Sequence, residues 1–351
     1  MHNARSGKSC SGAAAKRCEK SWQRFRRNKR GYYSLLIFIS LFALSMVAEV
    51  LSNDVPLAIG YQGRVYFPIL ISYPETTFGG DFETATDYKD PFIMERLIKP
   101  GNWILFPLNR HSYNTINQEI AGPVPSPPTR ENFLGTDDRG RDVLARIIYG
   151  FRLSILFGLA LTMVGTTVGI IAGAIQGYFG GRTDLLAQRF IEIWGAMPEL
   201  YLLIIFASIF KPSFLLLLVL LSLFSWMGLS DYVRAEFLRG RNLDYVKAAK
   251  ALGVGNITIM WRHLLPNGMT PVLTFLPFRI SAAILALTSL DFLGLGVPPS
   301  TPSLGELLAQ GKANLEAWWL SLATFLVLVG TLVLLIFIGE ALRETLDPRK
   351  D

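Results

Sequence analysis

The sequence predicts an all-α polytopic membrane protein: six transmembrane helices, with a large periplasmic loop after the first. Three observations predict it. Hydrophobic residues make up 51% of the 351 positions and charged residues only 17%, with mean hydropathy +0.35, the balance of a membrane-embedded chain. Apolar runs of about 20 residues, the length that spans a bilayer core, recur along the chain. Lys and Arg gather in the segments that an even number of spans would leave on one side.

Residues 1–31 carry ten Lys and Arg against a single Glu, so this tail is predicted to be cytoplasmic. It reads as disordered until Trp22-Gln-Arg-Phe-Arg-Arg27, which suits an anionic membrane surface. Residues 32–51 form the first span. Its basic flank is long and no clean A-x-A site follows, so it reads as an uncleaved signal anchor. Residues 52–150 form the outer loop; a loop of this length either folds or functions. Val65-Tyr-Phe67 suggests a short strand. Gly122-Pro-Val-Pro-Ser-Pro-Pro128 suggests an extended linker. Asp137 or Asp138 is placed to cap an amphipathic helix with Val143, Leu144, Ile147 and Ile148 on its apolar face and Arg141, Asp142 and Arg146 on its wet face.

Residues 151–340 hold the other five spans: Leu153–Ile175, Leu185–Phe210, Ser213–Ser230, Gly268–Leu290 and Trp318–Gly339. Gly158, Gly165, Gly169 and Gly173 recur near helical spacing and favour close helix packing. The intervening loop 234–267 is cationic (Arg234, Arg239, Arg241, Lys247, Lys250, Arg262) and falls on the cytoplasmic side, as does the tail 341–351. The outer segments 52–150 and 291–317 are net acidic. The net charge of +7 is thus a topology signal, not a nucleic-acid one.

The loop 234–267 holds the sharpest motif. Asn242 and Asp244 are N-cap types and Gly253 is the usual residue past a helix end, so a short helix is predicted between them. Asn256 is placed to cap a second short helix ending near Pro266. Within the spans, Arg189 and Glu192 share a helix face and can pair, Pro198 kinks the same helix, and Arg279 is an isolated charge between Pro271 and Pro277. Intramembrane charges face protein or a water-filled path; these four residues are candidates for a translocation path or subunit interface. The plainer alternative makes 185–197 cytosolic or interfacial and Arg189–Glu192 an ordinary ion pair.

Enzyme chemistry has no footing. The two cysteines, Cys10 and Cys18, lie in the basic tail, and His2, His111 and His263 are scattered without metal-ligand spacing. Ser6-Gly-Lys-Ser9 lacks the upstream glycine of a P-loop, and Gly305…Gly311-Lys312-Ala313 has the wrong spacing. No catalytic constellation and no metal or cofactor site is expected in this chain.

Tyr245-Val-Lys-Ala-Ala-Lys-Ala-Leu-Gly253 with Leu265-Pro266 resembles the E-A-A-x3-G-x9-I-x-L-P loop of ABC-importer permeases. Ala248, Ala249, Gly253, Leu265 and Pro266 are in register, whereas Lys247 replaces the Glu and His263 the Ile. Leu134-Gly-Thr-Asp-Asp-Arg-Gly-Arg-Asp-Val-Leu-Ala-Arg-Ile-Ile-Tyr-Gly150 resembles the signature of the second permease subunit of dipeptide and oligopeptide importers. Gly177-Tyr-Phe-Gly-Gly-Arg-Thr-Asp184, Ser289–Pro298, Thr301–Glu306 and Leu342–Arg349 continue the likeness over about 130–351. The aromatic outer loop is similar to the YejE-type branch of microcin C and peptide importers. The resemblance implies the type I importer permease fold and a pore shared with a homologous permease subunit. It implies a periplasmic peptide-binding protein and an ATPase, on one fused chain or two, that holds the ATP and Mg. It also implies ATPase coupling through Asp244, Lys247, Ala248, Ala249, Gly253, His263, Leu265 and Pro266, in a bacterial inner membrane. The competing readings are a secondary transporter driven by an ion gradient, which would want inverted repeats and midplane acids, and a non-transporting scaffold.

Overall fold

The computed structural model describes residues 22–117, 120 and 122–346. The expected tail disorder, Cys10, Cys18, the Ser6–Ser9 motif and the Asp347–Arg349 ending lie outside these residues. The chain forms two compact units. One takes in the chain up to Ile39, Ile155–Leu287 and the chain from Gly330 on; the other takes in Ser40–Ser154 and Thr288–Val329.

All six apolar segments are helical. The first forms α1 (Lys29–Met46), which is interrupted at Val47 before a further turn at Ala48–Leu51. By length and composition, four helices among the described residues suffice to cross a membrane, and a fifth is added if one bent pair counts as a single span. The sixth expected span, α1, falls short of that measure: its 18 residues begin with Lys29 and Arg30.

The segment that follows α1 folds as a small module. Strands β1 (Ala58–Tyr61), β2 (Arg64–Tyr66) and β3 (Trp103–Leu105) form an antiparallel sheet of order β2-β1-β3, with Ile59 opposite Tyr66 and Ile104. The strand expected at Val65–Phe67 is β2, one residue earlier. Helix α2 (Pro91–Leu97) follows; Asp90 caps it by accepting from the Phe92 N–H. The core is aromatic. Phe78 is fully buried and meets Tyr61, Tyr66, Tyr73 and Tyr88 edge to face, at centroid distances of 5.4–6.2 Å, the arrangement the ring quadrupole favours. Burial pushes the Tyr88 hydroxyl up to about 12.

Helix α3 (Val143–Phe179) is one uninterrupted helix of 37 residues, so the expected interfacial helix and second span are the same element. Its cap is Asp142, whose carboxylate accepts from the Ala145 N–H at 2.7 Å, and not Asp137 or Asp138. The glycine face of α3 does bring backbones together. A Cβ at Gly169 would meet the Trp226 carbonyl at 2.9 Å, and one at Gly173 the Ser230 carbonyl at 2.4 Å. Helices α4 (Gly181–Gly195) and α5 (Glu199–Ile209) follow, bent by 63° across Ala196–Pro198. That kink is the one expected at Pro198, whose ring cannot continue the helical ladder.

Helices α6 (Phe214–Ser225) and α7 (Met227–Gly240) meet at a break at Trp226. Helix α8 (Asp244–Ala251) is the expected short helix. Then a turn at Asn256–Thr258 and a wide π-type turn at Ile259–Leu264 lead into α9 (Leu265–Phe292), α10 (Leu304–Ala313) and α11 (Trp318–Leu346). The second short helix therefore does not stop at Pro266. The backbone at Thr258, Ile259 and Leu265 is helical and the Leu265 N–H bonds to the Met260 carbonyl, so the helical path runs through Pro266, and the wide turn before it accommodates the missing N–H.

Candidate functional site

The loop between α7 and α9 is held rigidly. On α8, Val246 and Ala249 are three residues apart and so share a face. Both are buried, in a cluster with Tyr178, Val233, Phe237, Ile259 and Leu264. Three polar contacts anchor the loop to the end of α3: the Tyr178 hydroxyl donates to Asn256 Oδ1 at 2.7 Å, Arg241 Nη1 donates to the Tyr178 carbonyl, and Lys250 Nζ lies 4.8 Å from the centre of the Tyr178 ring. Gly253 ends α8 at φ +77°, in the left-handed region, as its position in the sequence predicts.

Several expectations change here. The residue preceding α8 is Leu243, with no side-chain cap; Asp244 is the first helical residue, and its carboxylate lies 3.6 Å from Lys247 Nζ. Gly255 precedes the turn at Asn256, whose side chain serves Tyr178 instead of capping. Ala249, expected on an outer contact surface, packs into this chain's own core. Lys247, Ala248 and Gly253 remain exposed, His263 and Leu265 are half-buried, and Pro266 is exposed. The residues the sequence reading missed are apolar and outward: Leu252 is 83% exposed and Ile257 74%, with Leu243 and Trp261 also exposed. Their signal was available, since a Leu and an Ile flanking Gly253 and Gly255 in a short polar turn have no core of their own to fill.

A cavity of about 490 Å³ lies among α3, the α4–α5 bend, the α6–α7 break and α9, lined by Thr162, Met197, Glu199, Ser225 and Arg279 among others. Arg279 Nη2 donates to the Ser225 carbonyl at 2.8 Å. It thereby bonds a carbonyl at the end of α6, one residue before Trp226, whose own backbone stays in the right-handed helical region. Of the four path candidates, Arg279 lines this cavity and Pro198 lies between two lining residues, Met197 and Glu199. Arg189 and Glu192 do pair, but on the open face of α4, with side chains 66% and 56% exposed; they do not line the cavity.

The unit formed by Ser40–Ser154 and Thr288–Val329 holds a buried charge cluster. Arg141, Asp142 and Arg146 were expected on a wet face and are buried instead. Arg141 Nε donates to Asp137 Oδ2 at 2.7 Å, while Asp137 Oδ1 accepts from the Arg139 and Arg141 N–H groups. Arg146 pairs with Glu306 through Nη2 and donates to the carbonyls of Tyr113 and Thr301. Asp142 accepts from Asn109 and Asn132 at 2.8 Å each. Burial raises the Glu306 carboxyl above its ordinary value, and Arg146 and Arg141 pull it back down. A helical wheel put these charges outside because their partners, at 109, 132 and 306, are remote in sequence.

Apolar helices broken around a charged cavity, beside a helical loop with exposed apolar tips, define a membrane transport permease. The chain belongs to the inner-membrane component family of binding-protein-dependent transport systems, which matches residues 165–351. It is 52% identical to the peptidoglycan transport system permease protein YejE of Agrobacterium fabrum, over 95% of this chain and 93% of that one. It is 53% identical to the inner membrane ABC transporter permease protein YejE of Escherichia coli, over 94% and 96%. It is 37% identical to the oligopeptide transport system permease protein OppC of Haemophilus influenzae, over 63% and 72%. The chain is thus a multi-pass inner-membrane permease of the ABC importer type, with the mostly helical type I permease fold plus a small three-stranded sheet. These relatives are permease proteins and not enzymes.

Proposed function

We propose that this chain forms half of a peptide translocation path and is driven by a separate ATPase that docks on residues 243–261. The observation that carries the reading is the pair of exposed apolar tips, Leu252 and Ile257, on a loop whose inner face is locked to α3. A rigid loop with apolar tips transmits force, where a loose one would absorb it. The cationic tail and loop 234–267 lie in the cytoplasm with the C-terminus, and residues 52–150 lie in the periplasm. The partners are a homologous permease, a periplasmic peptide-binding protein, ATPase domains on one chain or two that hold ATP and Mg, and anionic lipid around Trp22–Arg30. Cargo is peptide, in line with the oligopeptide and peptidoglycan systems named for the relatives; microcin C-like peptides fit the same class. Family membership leaves the ion-gradient alternative without support.

The test is uptake and binding-protein-stimulated ATP hydrolysis in vesicles holding the whole transporter. Leu252→Glu/Ile257→Glu places two charges where an apolar contact is proposed, and burying unpaired charge is costly. We expect uptake to fall at least tenfold while the permease still inserts in the membrane. Wild-type uptake and stimulation would refute docking at this loop. Reporter fusions after Asp90 and Lys250 should report periplasm and cytoplasm, and the reverse would overturn the orientation.

A further inference from the structure

The first described residues make a basic, aromatic segment that neither the loop nor the cavity above uses. Residues 22–27 are helical, the helix is interrupted at Asn28, and α1 begins at Lys29. Phe25 is buried and pins the segment in place. Trp22 stacks on Phe25 at 5.8 Å and meets the Tyr32 ring edge-on at 6.4 Å, while the Arg26 guanidinium lies 5.6 Å from the centre of the Tyr32 ring. Asn28 fastens the turn on two sides. Its Oδ1 accepts from the Gly31 N–H at 3.2 Å, and its Nδ2 donates to Glu344, near the end of α11, at 2.9 Å. A Cβ at Gly31 would collide with that of Ala341, so the start of α1 and the end of α11 touch. Beside that contact opens a cleft of about 370 Å³, lined by Arg24, Arg27, Asn28, Glu344 and Thr345.

We infer that this cleft is a site for one anionic glycerophospholipid, whose phosphodiester is clasped by Arg24 and Arg27 where α1 and α11 meet. The two arginines are three residues apart and share a helix face. A guanidinium offers paired donors that match phosphate oxygens. Two guanidinium groups and one carboxylate leave the lining a single net positive charge, the complement of a phosphodiester's single negative one. The surroundings attract anions as well: Arg26, Lys29 and Arg30 flank the cleft with no acid among them. Two observations favour a lipid over a soluble phosphate. The cleft lies at the end of α11, a helix of membrane-spanning length, which is headgroup level. Trp22 and Tyr33 remain exposed beside it, and such rings settle at the membrane–water interface. The inference deepens the lipid contact proposed above, and it rests on the orientation given there only for the leaflet that supplies the lipid.

The experiment titrates lipid into the assembled permease–ATPase complex, delipidated in detergent, and follows bound lipid by native mass spectrometry. The probes are dioleoyl phosphatidylglycerol, dioleoyl phosphatidylcholine and inorganic phosphate. Wild type should hold phosphatidylglycerol about tenfold more tightly than phosphatidylcholine. Arg24→Gln/Arg27→Gln should weaken that binding about tenfold. Arg26→Gln/Arg30→Gln removes the same charge outside the lining, where screening is stronger, and should weaken it less than about threefold. Glu344→Gln keeps an acceptor for Asn28 and removes the lining's one negative charge, so it should tighten phosphatidylglycerol. Equal losses in the two double variants would show a diffuse basic surface and overturn the site. So would equal binding of the two lipids, loss of binding in Glu344→Gln, or displacement of the lipid by inorganic phosphate at the same concentration. Binding in detergent is blind to topology, which keeps the two readings apart. Reporter fusions that reversed the orientation would move the lipid to the other leaflet and leave the cleft standing. Failure of the cleft would leave the orientation and the docking loop untouched.

Discussion

Replacing Arg146 by methionine keeps an unbranched, flexible side chain, about two atoms shorter, and removes the charge from a fully enclosed position. Three hydrogen bonds go with it, to Glu306 and to the Tyr113 and Thr301 carbonyls. Asp137 is largely spared, because Arg141 and two backbone N–H groups still hold it. Glu306 is left with Arg141 Nη2 at 3.4 Å as its nearest cation. Breaking a buried ion pair from one side costs about 3–5 kcal/mol. At about 2–4 °C of Tm per kcal/mol, the variant should melt roughly 10 °C lower. Removing both charges, in Arg146→Met/Glu306→Leu, should recover at least half of that loss, since neither charge is then stranded; the coupling between the sites would be about 1.5–3 kcal/mol. The assay is thermal unfolding of detergent-purified protein followed by tryptophan fluorescence. Trp319 reports locally, because its Nε1–H donates to the Thr136 carbonyl beside the cluster. A single variant within about 1 kcal/mol of wild type, or a double variant no better than the single, would refute the claim that these charges hold one another.

Three further outcomes follow from the same structure. Gly173→Leu should abolish stable accumulation in the membrane, measured by immunoblot and size-exclusion profile, because even a Cβ would lie 2.4 Å from the Ser230 carbonyl. Phe78→Ala should cost about 3–5 kcal/mol in the sheet module and raise protease cleavage within 52–117, with the cleavage pattern of 155–287 unchanged. The His111 imidazole is held below its ordinary value by burial first and by Lys89 second, with Asp142 and Asp54 opposing. A base whose folded value is depressed contributes stability that is complete above its unfolded value, about 6.5, and is lost as pH falls through the folded value. Thermal stability should therefore decline below about pH 6.5, and His111→Gln should flatten that part of the profile.

The helices were legible in the sequence because apolar runs of membrane length admit few other structures. Gly253 was legible because its requirement is local: a backbone turn that a side chain would strain. Ala249 was not. Its motif position suggests contact, while its exposure depends on Phe237 and Ile259, which no local pattern ties to it. Arg146 failed for the same reason at longer range. Alternation along a helix predicts that charges face water, and only the fold brings Glu306 to meet this one. The cavity was half legible. Arg279 stood out as an isolated intramembrane charge, whereas Glu199 was not singled out; only the bend at Pro198 makes it part of the cavity lining with Thr162.

The charge cluster also sets a schedule for synthesis. Arg146 and Glu306 are 160 residues apart, and a ribosome adding about 5–20 residues per second makes the second roughly 8–32 s after the first. During that interval the arginine has only what already exists to meet it: Asp137 and the Tyr113 carbonyl. The sheet module and the start of α3 are therefore a provisional assembly, made final only when α10 arrives. A chain truncated before Glu306 would carry every apolar helix but α11 and still lack the counter-ion that closes this unit.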